Sequence, residues 1–206
     1  ISKMTRACLF DLDGVIFDTE PQYTVFWRQV GRKYHPEIPD FEYRIKGQTL
    51  AHIYERYFHG QPERQAEITK MLDDYEMSMD YRYVPGAREY IERLQKRGIK
   101  TAVVTSSNLP KMNNVYRHHP DFTQLFDKVF TSEDLTESKP SPHCYLKAAA
   151  YFNLDPKECV VFEDSYNGLK AGTAAGARVI ALATTNPLEK LKEYTSEIIN
   201  DFTEMI

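Results

Sequence analysis

The sequence predicts an α/β protein in which a doubly wound parallel sheet carries an inserted helical cap subdomain. Short, unbroken apolar runs rich in β-branched residues recur along the 206 residues, which is typical of strands covered on both faces. Helical patterns separate these runs, and strands that alternate with helices favour a parallel sheet with right-handed crossovers. One long interval contains helical patterns only, and this favours an insertion.

Five runs have the length and composition of buried strands. They cover residues 7–11, 101–105, 128–131, 159–163 and 179–183. Between them, apolar residues repeat at helical spacing in two segments. These are Ala87, Tyr90, Ile91 and Leu94, followed by Tyr145, Ala148, Ala149 and Phe152. The alternation therefore extends through most of the chain after residue 83.

The interval from residue 16 to residue 82 has no strong strand candidate and contains three helical patterns. One of them places Leu50, Ile53, Tyr54, Tyr57 and Phe58 on a single face. The "VPG" at 84–86 is a turn signal that marks the return to the sheet. We therefore predict a catalytic core of residues 1–15 and 83–206 with a helical cap of residues 16–82.

Composition narrows the classes of function. The net charge is −4 and no basic block is long enough to follow a phosphate backbone, which argues against nucleic acid as a partner. No apolar run approaches the ~18 residues of a membrane span. The three cysteines show no CxxC spacing. We expect a cytoplasmic monomer that acts on a small phosphorylated metabolite, without a membrane partner.

Polar side chains follow three of the predicted strands. Asp11 and Asp13 follow the first, Thr105 and Ser106 the second, and Glu163 and Asp164 the fourth. Lys139 lies just before a predicted helix. Because ligands of open parallel sheets bind beyond the carboxyl ends of the strands, we expect these groups to share one crevice. Clustered carboxylates suit Mg²⁺, an ion that is commonly shared with phosphate oxygens.

The two aspartates of "DLD" are predicted to have different chemical roles. Residues two apart in an extended segment point to the same side, so Asp11 and Asp13 can address one substrate. One carboxylate can attack phosphorus, and the other can protonate the leaving oxygen and then activate water. The pattern indicates phosphoryl chemistry in two steps.

Three blocks together resemble the haloacid dehalogenase-like (HAD) hydrolases, in the branch with a small helical cap. The blocks are "DLDGVIFDTE" at 11–20, "KPSPHCY" at 139–145 and "EDSYNGLKAG" at 163–172. The resemblance extends from Ala7 to about Leu188 in motif order and spacing, and it implies a Rossmann-like core that uses Mg²⁺. It also implies roles for single residues: Asp11 as nucleophile, Asp13 as acid/base with its carbonyl on the metal, Thr105 and Ser106 on the phosphoryl group, Lys139 as charge balance, and Asp164 and Glu163 at the metal.

Within this family the sequence favours a phosphatase over a β-phosphoglucomutase-type enzyme. Mutase relatives resemble one another in an "LKGVSRED" segment whose Arg holds a second phosphate, and this chain reads "IKGQTLAH" at 45–52. Lys46 and Gly47 match and are predicted substrate contacts, but Leu50 replaces the Arg. Tyr23 replaces a cap-entry His. We expect hydrolysis of a small sugar-phosphate-type monoester, with a phosphosugar mutase as the alternative.

A receiver-like signalling module, phosphorylated on Asp without metabolite turnover, is a further alternative. It would also use a parallel sheet, acidic residues, a Thr and a Lys. The second acid of the doublet and the long insertion between the first two strands argue against it, because the insertion far exceeds usual connection lengths.

Overall fold

Six short strands form the centre of the computed structural model, which describes residues 3–206. They are β1 (Ala7–Phe10), β2 (Lys100–Val104), β3 (Lys128–Phe130), β4 (Cys159–Glu163), β5 (Arg178–Leu182) and β6 (Ile198–Ile199). Neighbouring strands pair in parallel in the order β3-β2-β1-β4-β5-β6. The chain therefore winds outward from β1 in both directions, and β1 lies between β2 and β4.

Helices connect the strands and cover both faces of the sheet. Four of them precede β2 in the region predicted to be the cap: α1 (Glu20–Tyr34), α2 (Phe41–Arg44), α3 (Leu50–Tyr57) and α4 (Pro62–Ser78). The others are α5 (Ala87–Lys96), α6 (Leu109–His118), α7 (His143–Tyr151), α8 (Tyr166–Ala175) and α9 (Leu188–Leu191). Among the described residues no helix is long and apolar enough to cross a membrane.

The core lies on both faces of the sheet, which explains why the strand sequences do not alternate. In β1, Cys8 and Phe10 join one apolar cluster, whereas Ala7 and Leu9 join a second cluster on the opposite face. Successive side chains of a strand point to opposite faces, so a strand covered by helices on both sides is apolar throughout. Phe10 also stacks on Phe162 of β4, with ring centroids 4.9 Å apart.

The chain leaves the sheet after β1 and returns to it through two segments that lie side by side. The amide of Asp18 donates to the carbonyl of Arg82 at 2.8 Å, and the amide of Val84 donates to the carbonyl of Ile16 at 2.8 Å. These contacts join the two ends of the helical region. The division into core and cap at residues 15/16 and 82/83 stays a prediction, and residues 1 and 2, assigned to the core, lie outside the described range.

The predicted α/β class with a parallel sheet is confirmed. Each of the five predicted strands is present with its ends shifted by at most one residue. The sequence analysis did not predict β6, because two residues at a sheet edge give no periodic signal. It also predicted three helical patterns before residue 82, where the structure has three longer helices and the four-residue α2.

Candidate active site

The predicted site residues converge because they follow neighbouring strands. Asp11, Thr105 and Asp164 come directly after β1, β2 and β4, and these three strands are adjacent in the sheet. Backbone pairing continues for one residue past the strands: the Asp11 amide donates to Phe162 at 3.1 Å and the Thr105 amide to Phe130 at 3.0 Å. The sheet thus fixes the backbone positions from which these side chains project.

Lys139 links the acidic residues from within the protein. Its side chain is fully buried, and Nζ donates to Asp11 Oδ1 at 3.2 Å, to Glu163 Oε1 at 2.6 Å and to the Val104 carbonyl at 3.1 Å. Burial alone would lower the pKa of Lys139, but attraction to Asp11 and Glu163 outweighs burial and raises this pKa. Lys139 is therefore a permanent cation between two carboxylates.

Asp11, Glu163 and Asp164 form a buried acidic cluster in which one carboxylate oxygen from each lies within 4.8 Å of the others. Burial, together with repulsion from Asp11, raises the pKa of Glu163 to about 7. Burial also raises the pKa of Asp164 well above its usual range, and Asp11 and Glu20 add to the effect. Three carboxylates at such separations repel one another unless protons or a cation are bound.

The cluster fits a divalent cation. Asp164 Oδ1 is buried and has no hydrogen-bond partner among the described residues, whereas Oδ2 accepts from the Thr185 hydroxyl at 2.5 Å. Burial of an unpaired carboxylate oxygen is costly, so an unpaired oxygen on a residue of this cluster fits a cation as its partner. Oxygen donors of this kind suit Mg²⁺. Asp11, Glu163 and Asp164 are the side chains that could hold it.

Gly14 allows the loop after β1 to pass directly beside this cluster. Its φ of +81° lies in the region that favours glycine, and a Cβ at this position would lie 2.1 Å from Asp164 Oδ2. Any side chain here would displace the carboxylate. The Gly of the "DLDG" sequence is thus explained by both conformation and space.

Asp13 is held by a different set of partners. Lys111 Nζ donates to Oδ1 at 2.9 Å and to Oδ2 at 2.8 Å, the Thr19 hydroxyl donates to Oδ1 at 2.5 Å, and the Ser107 hydroxyl donates to Oδ2 at 3.2 Å. The side chain of Lys111 is 1% exposed. These donors fix the orientation of the Asp13 carboxylate. Asp13 does not belong to the acidic cluster through its side chain, and metal contact through its carbonyl stays a prediction.

The loop after β2 joins the sheet to the helical region. Thr105 is buried, and its hydroxyl accepts a hydrogen bond from the Ser107 amide at 3.0 Å. The Ser106 hydroxyl donates to the carbonyl of Gly47 at 2.7 Å. Gly47 has a φ of +84° and lies so close to Ser165 that a Cβ would be 2.6 Å from the Ser165 hydroxyl. Gly47 and Ser106 therefore meet at one edge of the site.

Lys46 does not present a free ammonium. It forms a short ion pair with Glu20, and the two side chains are 6% and 13% exposed. Burial raises the pKa of Glu20, as does repulsion from Asp13 and Asp11, whereas Lys46 lowers it. Glu20 thus lies in the site as the partner of Lys46.

These groups line one cavity of about 110 Å³. The strand-end loops contribute Asp11, Asp13, Thr105, Ser106, Ser107, Asn108, Asp164 and Ser165. The rest of the lining, which we call the helical wall, consists of Glu20, Tyr23, Trp27, Ile45, Lys46, Gly47, Gln48, Leu50, Ile53, Leu72 and Glu76. Lys139 and Glu163 lie behind Asp11. All nine residues predicted for the site are therefore brought together, although their chemical roles stay predictions.

Sequence reasoning missed Thr19, Lys111 and Glu76. The Tyr23 hydroxyl donates to Glu76 Oε2 at 2.5 Å, and Lys111 Nζ lies 4.8 Å from the Tyr23 ring centroid. Lys111 is on α6, four residues after Ser107, so the spacing from the "TSSN" loop was the available signal. Glu76 gave no signal, because a glutamate within α4 reads as a solvated residue.

Comparisons with known proteins agree with this architecture. A family model described as "Hydrolase: haloacid dehalogenase-like hydrolase" matches residues 5–176. Hexitol phosphatase A of Escherichia coli is 31% identical over 192 residues, which cover 91% of this chain and 88% of that protein.

Two further matches differ in what they imply. A bifunctional riboflavin kinase/FMN phosphatase of Arabidopsis thaliana is 27% identical over 224 residues, and the chain spans only 55% of that relative's length. The crystal structure of β-phosphoglucomutase from Clostridium difficile superposes with a TM-score of 0.79 at 22% identity, covering 98% of this chain and 93% of that one. This second likeness concerns the fold alone.

Proposed function

The chain belongs to the haloacid dehalogenase-like hydrolases, and from this membership we propose that it hydrolyses a small sugar-phosphate-type monoester with Mg²⁺, through an aspartyl phosphate. The observation that carries the proposal is the position of Asp11. It lines the cavity, beside a buried lysine and within an acidic cluster that fits a cation. The same family membership confirms the resemblance noted in the sequence.

Asp11 is the proposed nucleophile. Oδ1 accepts from Lys139, and Oδ2 has no hydrogen-bond donor among the described residues, so one oxygen is available for attack. A bond forms between this oxygen and phosphorus as the bond from phosphorus to the ester oxygen breaks. Thr105 and the Ser106 amide are proposed to bind the transferring phosphoryl group.

Asp13 is the proposed general acid and base. It gives a proton to the leaving ester oxygen, and then takes a proton from the water that attacks the phosphorus of the aspartyl phosphate. That second attack breaks the bond to Asp11, releases inorganic phosphate and returns the carboxylate. Thr19, Ser107 and Lys111 hold the Asp13 side chain in the orientation that both transfers require.

Mg²⁺, held by Asp11 and Asp164 with Glu163 in support, would neutralise charge on the phosphoryl oxygens. Lys139 balances part of the negative charge of Asp11 and Glu163 through its contacts with both side chains. Without these cations an anionic substrate would be repelled from the site.

Hydrolysis is favoured over the mutase reaction by the helical wall. A mutase must hold a second phosphate, yet Leu50 offers no charge and the Lys46 ammonium is already paired with Glu20. The name of the Escherichia coli relative, hexitol phosphatase A, supports a phosphatase acting on a small phosphorylated polyol or sugar.

The test is phosphate release from a panel of sugar phosphates, nucleotides and pyrophosphate with Mg²⁺, beside a coupled assay that detects conversion of β-glucose 1-phosphate to glucose 6-phosphate. We expect release to dominate. Asp11→Asn should abolish it while the folded circular dichroism spectrum is kept. Efficient isomerisation with little release would contradict the proposal, as would full activity of a pure Asp11→Asn sample.

A further inference from the structure

The polar groups of the helical wall distinguish one class of leaving group from others. Resting on the function proposed above, we propose that the wall selects phosphate monoesters whose leaving group is uncharged and bears hydroxyls, with Glu76 and Gln48 accepting hydrogen bonds from those hydroxyls. Glu76 and Gln48 would then be specificity-determining residues. Three features of the wall support this assignment.

The first feature is the absence of an available cation among the residues of the helical wall. Lys46 is the single Lys or Arg in that lining, and its ammonium is paired with Glu20 in a largely buried position. A carboxylate or second phosphate on the leaving group would need a cation to replace its lost hydration. None of the wall residues supplies one, so an anionic leaving group is disfavoured.

The second feature is a set of unoccupied acceptors. Glu76 is 4% exposed and lines the cavity; its Oε2 accepts from Tyr23, while Oε1 has no donor among the described residues. Gln48 also lines the cavity; its Nε2 donates to the Arg44 carbonyl at 3.4 Å, whereas its Oε1 is buried and has no partner among the described residues. Acceptors left without donors in a buried site are completed by a ligand that donates, and hydroxyl groups do so.

The third feature argues against a cationic leaving group. Lys111 Nζ lies 4.8 Å from the Tyr23 ring centroid and close enough to Glu76 to attract its carboxylate. The aromatic face and the carboxylate that could bind an amine are therefore already near a buried ammonium. Trp27 and Leu50 add apolar surface, against which the carbon skeleton of a polyol can pack. The balance of charge favours a neutral, hydroxylated group.

The experiment compares substrates that differ in one group. D-Glucitol 6-phosphate and 6-phosphogluconate differ by a terminal carboxylate, and glucose 6-phosphate and glucosamine 6-phosphate differ by an amine. We expect kcat/KM of the wild-type protein to be at least about tenfold higher for the neutral member of each pair, a difference that a single unpaired charge readily produces. A ratio near one in both pairs would overturn the inference.

Glu76→Gln tests the assigned residue. It removes the charge but keeps an acceptor for Tyr23, so the penalty against 6-phosphogluconate should shrink, chiefly through KM. Glu63→Gln, an exposed position on the same helix, is the matched control and should keep the wild-type ratio. An unchanged ratio in Glu76→Gln would remove Glu76 from the proposal.

Hydrolysis of p-nitrophenyl phosphate distinguishes a failure of the inference about the helical wall from a failure of the proposed function. If it is hydrolysed but the substrate pairs are not distinguished, the inference about the wall fails and the proposed function stands. If neither it nor any sugar phosphate is hydrolysed, the proposed function fails and the inference fails with it. The wild-type series alone decides this, whether or not the variants fold.

Discussion

Replacing Lys139 by Met should lower stability more than any exposed lysine replacement. The ammonium lies between two buried carboxylates, 3.2 Å from Asp11 and 2.6 Å from Glu163, and its side chain is completely buried. Removing one partner of a buried ion pair costs ~3–5 kcal/mol, because the other charge is left without compensation. In a chain of this length, each kcal/mol shifts Tm by ~2–4 °C, so Tm should fall by ~6–20 °C.

The assay is thermal and urea unfolding in metal-free buffer, repeated with Mg²⁺. Lys170→Met, which removes an exposed lysine from α8, is the control and should change the free energy of unfolding by less than ~0.5 kcal/mol. Mg²⁺ should restore part of the loss in Lys139→Met if a cation binds the acidic cluster.

The double variant Lys139→Met/Glu163→Gln gives the decisive comparison. It removes one cation and one anion together, so its destabilisation should be smaller than the sum of the two single changes by at least ~1 kcal/mol. A loss below ~1 kcal/mol in Lys139→Met, or strict additivity in the double variant, would refute the idea that Lys139 neutralises these carboxylates.

Three further predictions concern the acid/base, the cavity wall and pH. Asp13→Asn should slow phosphate release by at least ~10²-fold, since acid/base groups contribute that much, and rapid-quench analysis should show whether phosphoenzyme accumulates; wild-type rates would exclude its role. Leu50→Arg should not by itself produce a mutase, and a large gain in glucose 1-phosphate isomerisation would contradict this. The pKa of Glu163 is raised to about 7 in the folded protein, whereas in the unfolded chain this carboxyl loses its proton near the ordinary pKa of glutamate. The folded state therefore binds the proton more tightly. In EDTA, the contribution of Glu163 to the free energy of unfolding should fall as pH rises from ~4.5 to ~7. The free energy of unfolding of Glu163→Gln in urea, minus that of the wild type, should therefore rise over this pH range. A fall in this difference would contradict the prediction.

The fold was predictable because its signals are local. Each strand of the sheet apart from β6 is an apolar run of strand length, and each is covered on both faces, so no polar alternation obscures it. The strand ends then place Asp11, Thr105 and Asp164 together without any knowledge of side-chain packing. β6 was not predictable, since the pairing of Ile198 and Ile199 with β5 depends on where the preceding chain returns.

The inner contacts of the site were not predictable, because they join residues far apart in sequence. Lys111 and Asp13 are 98 positions apart, and Glu76 and Tyr23 are 53 positions apart. From their own segments, Lys111 and Glu76 would each be assigned to a solvated helix face. Only the packing of α4 and α6 near the cavity buries them, and the sequence does not specify how long side chains orient after the helices meet.

Because β1 lies between β2 and β4, the positions of the reacting groups depend on the sheet, whereas the free energy of unfolding depends on the whole chain. Backbone hydrogen bonds hold neighbouring strands ~4.8 Å apart, so the sheet fixes the distance between Asp11 and the residues that follow β2 and β4. We therefore expect replacements in helices far from the cavity to change the free energy of unfolding without altering this spacing. The reacting groups can therefore keep their relative positions while residues of the outer helices are replaced.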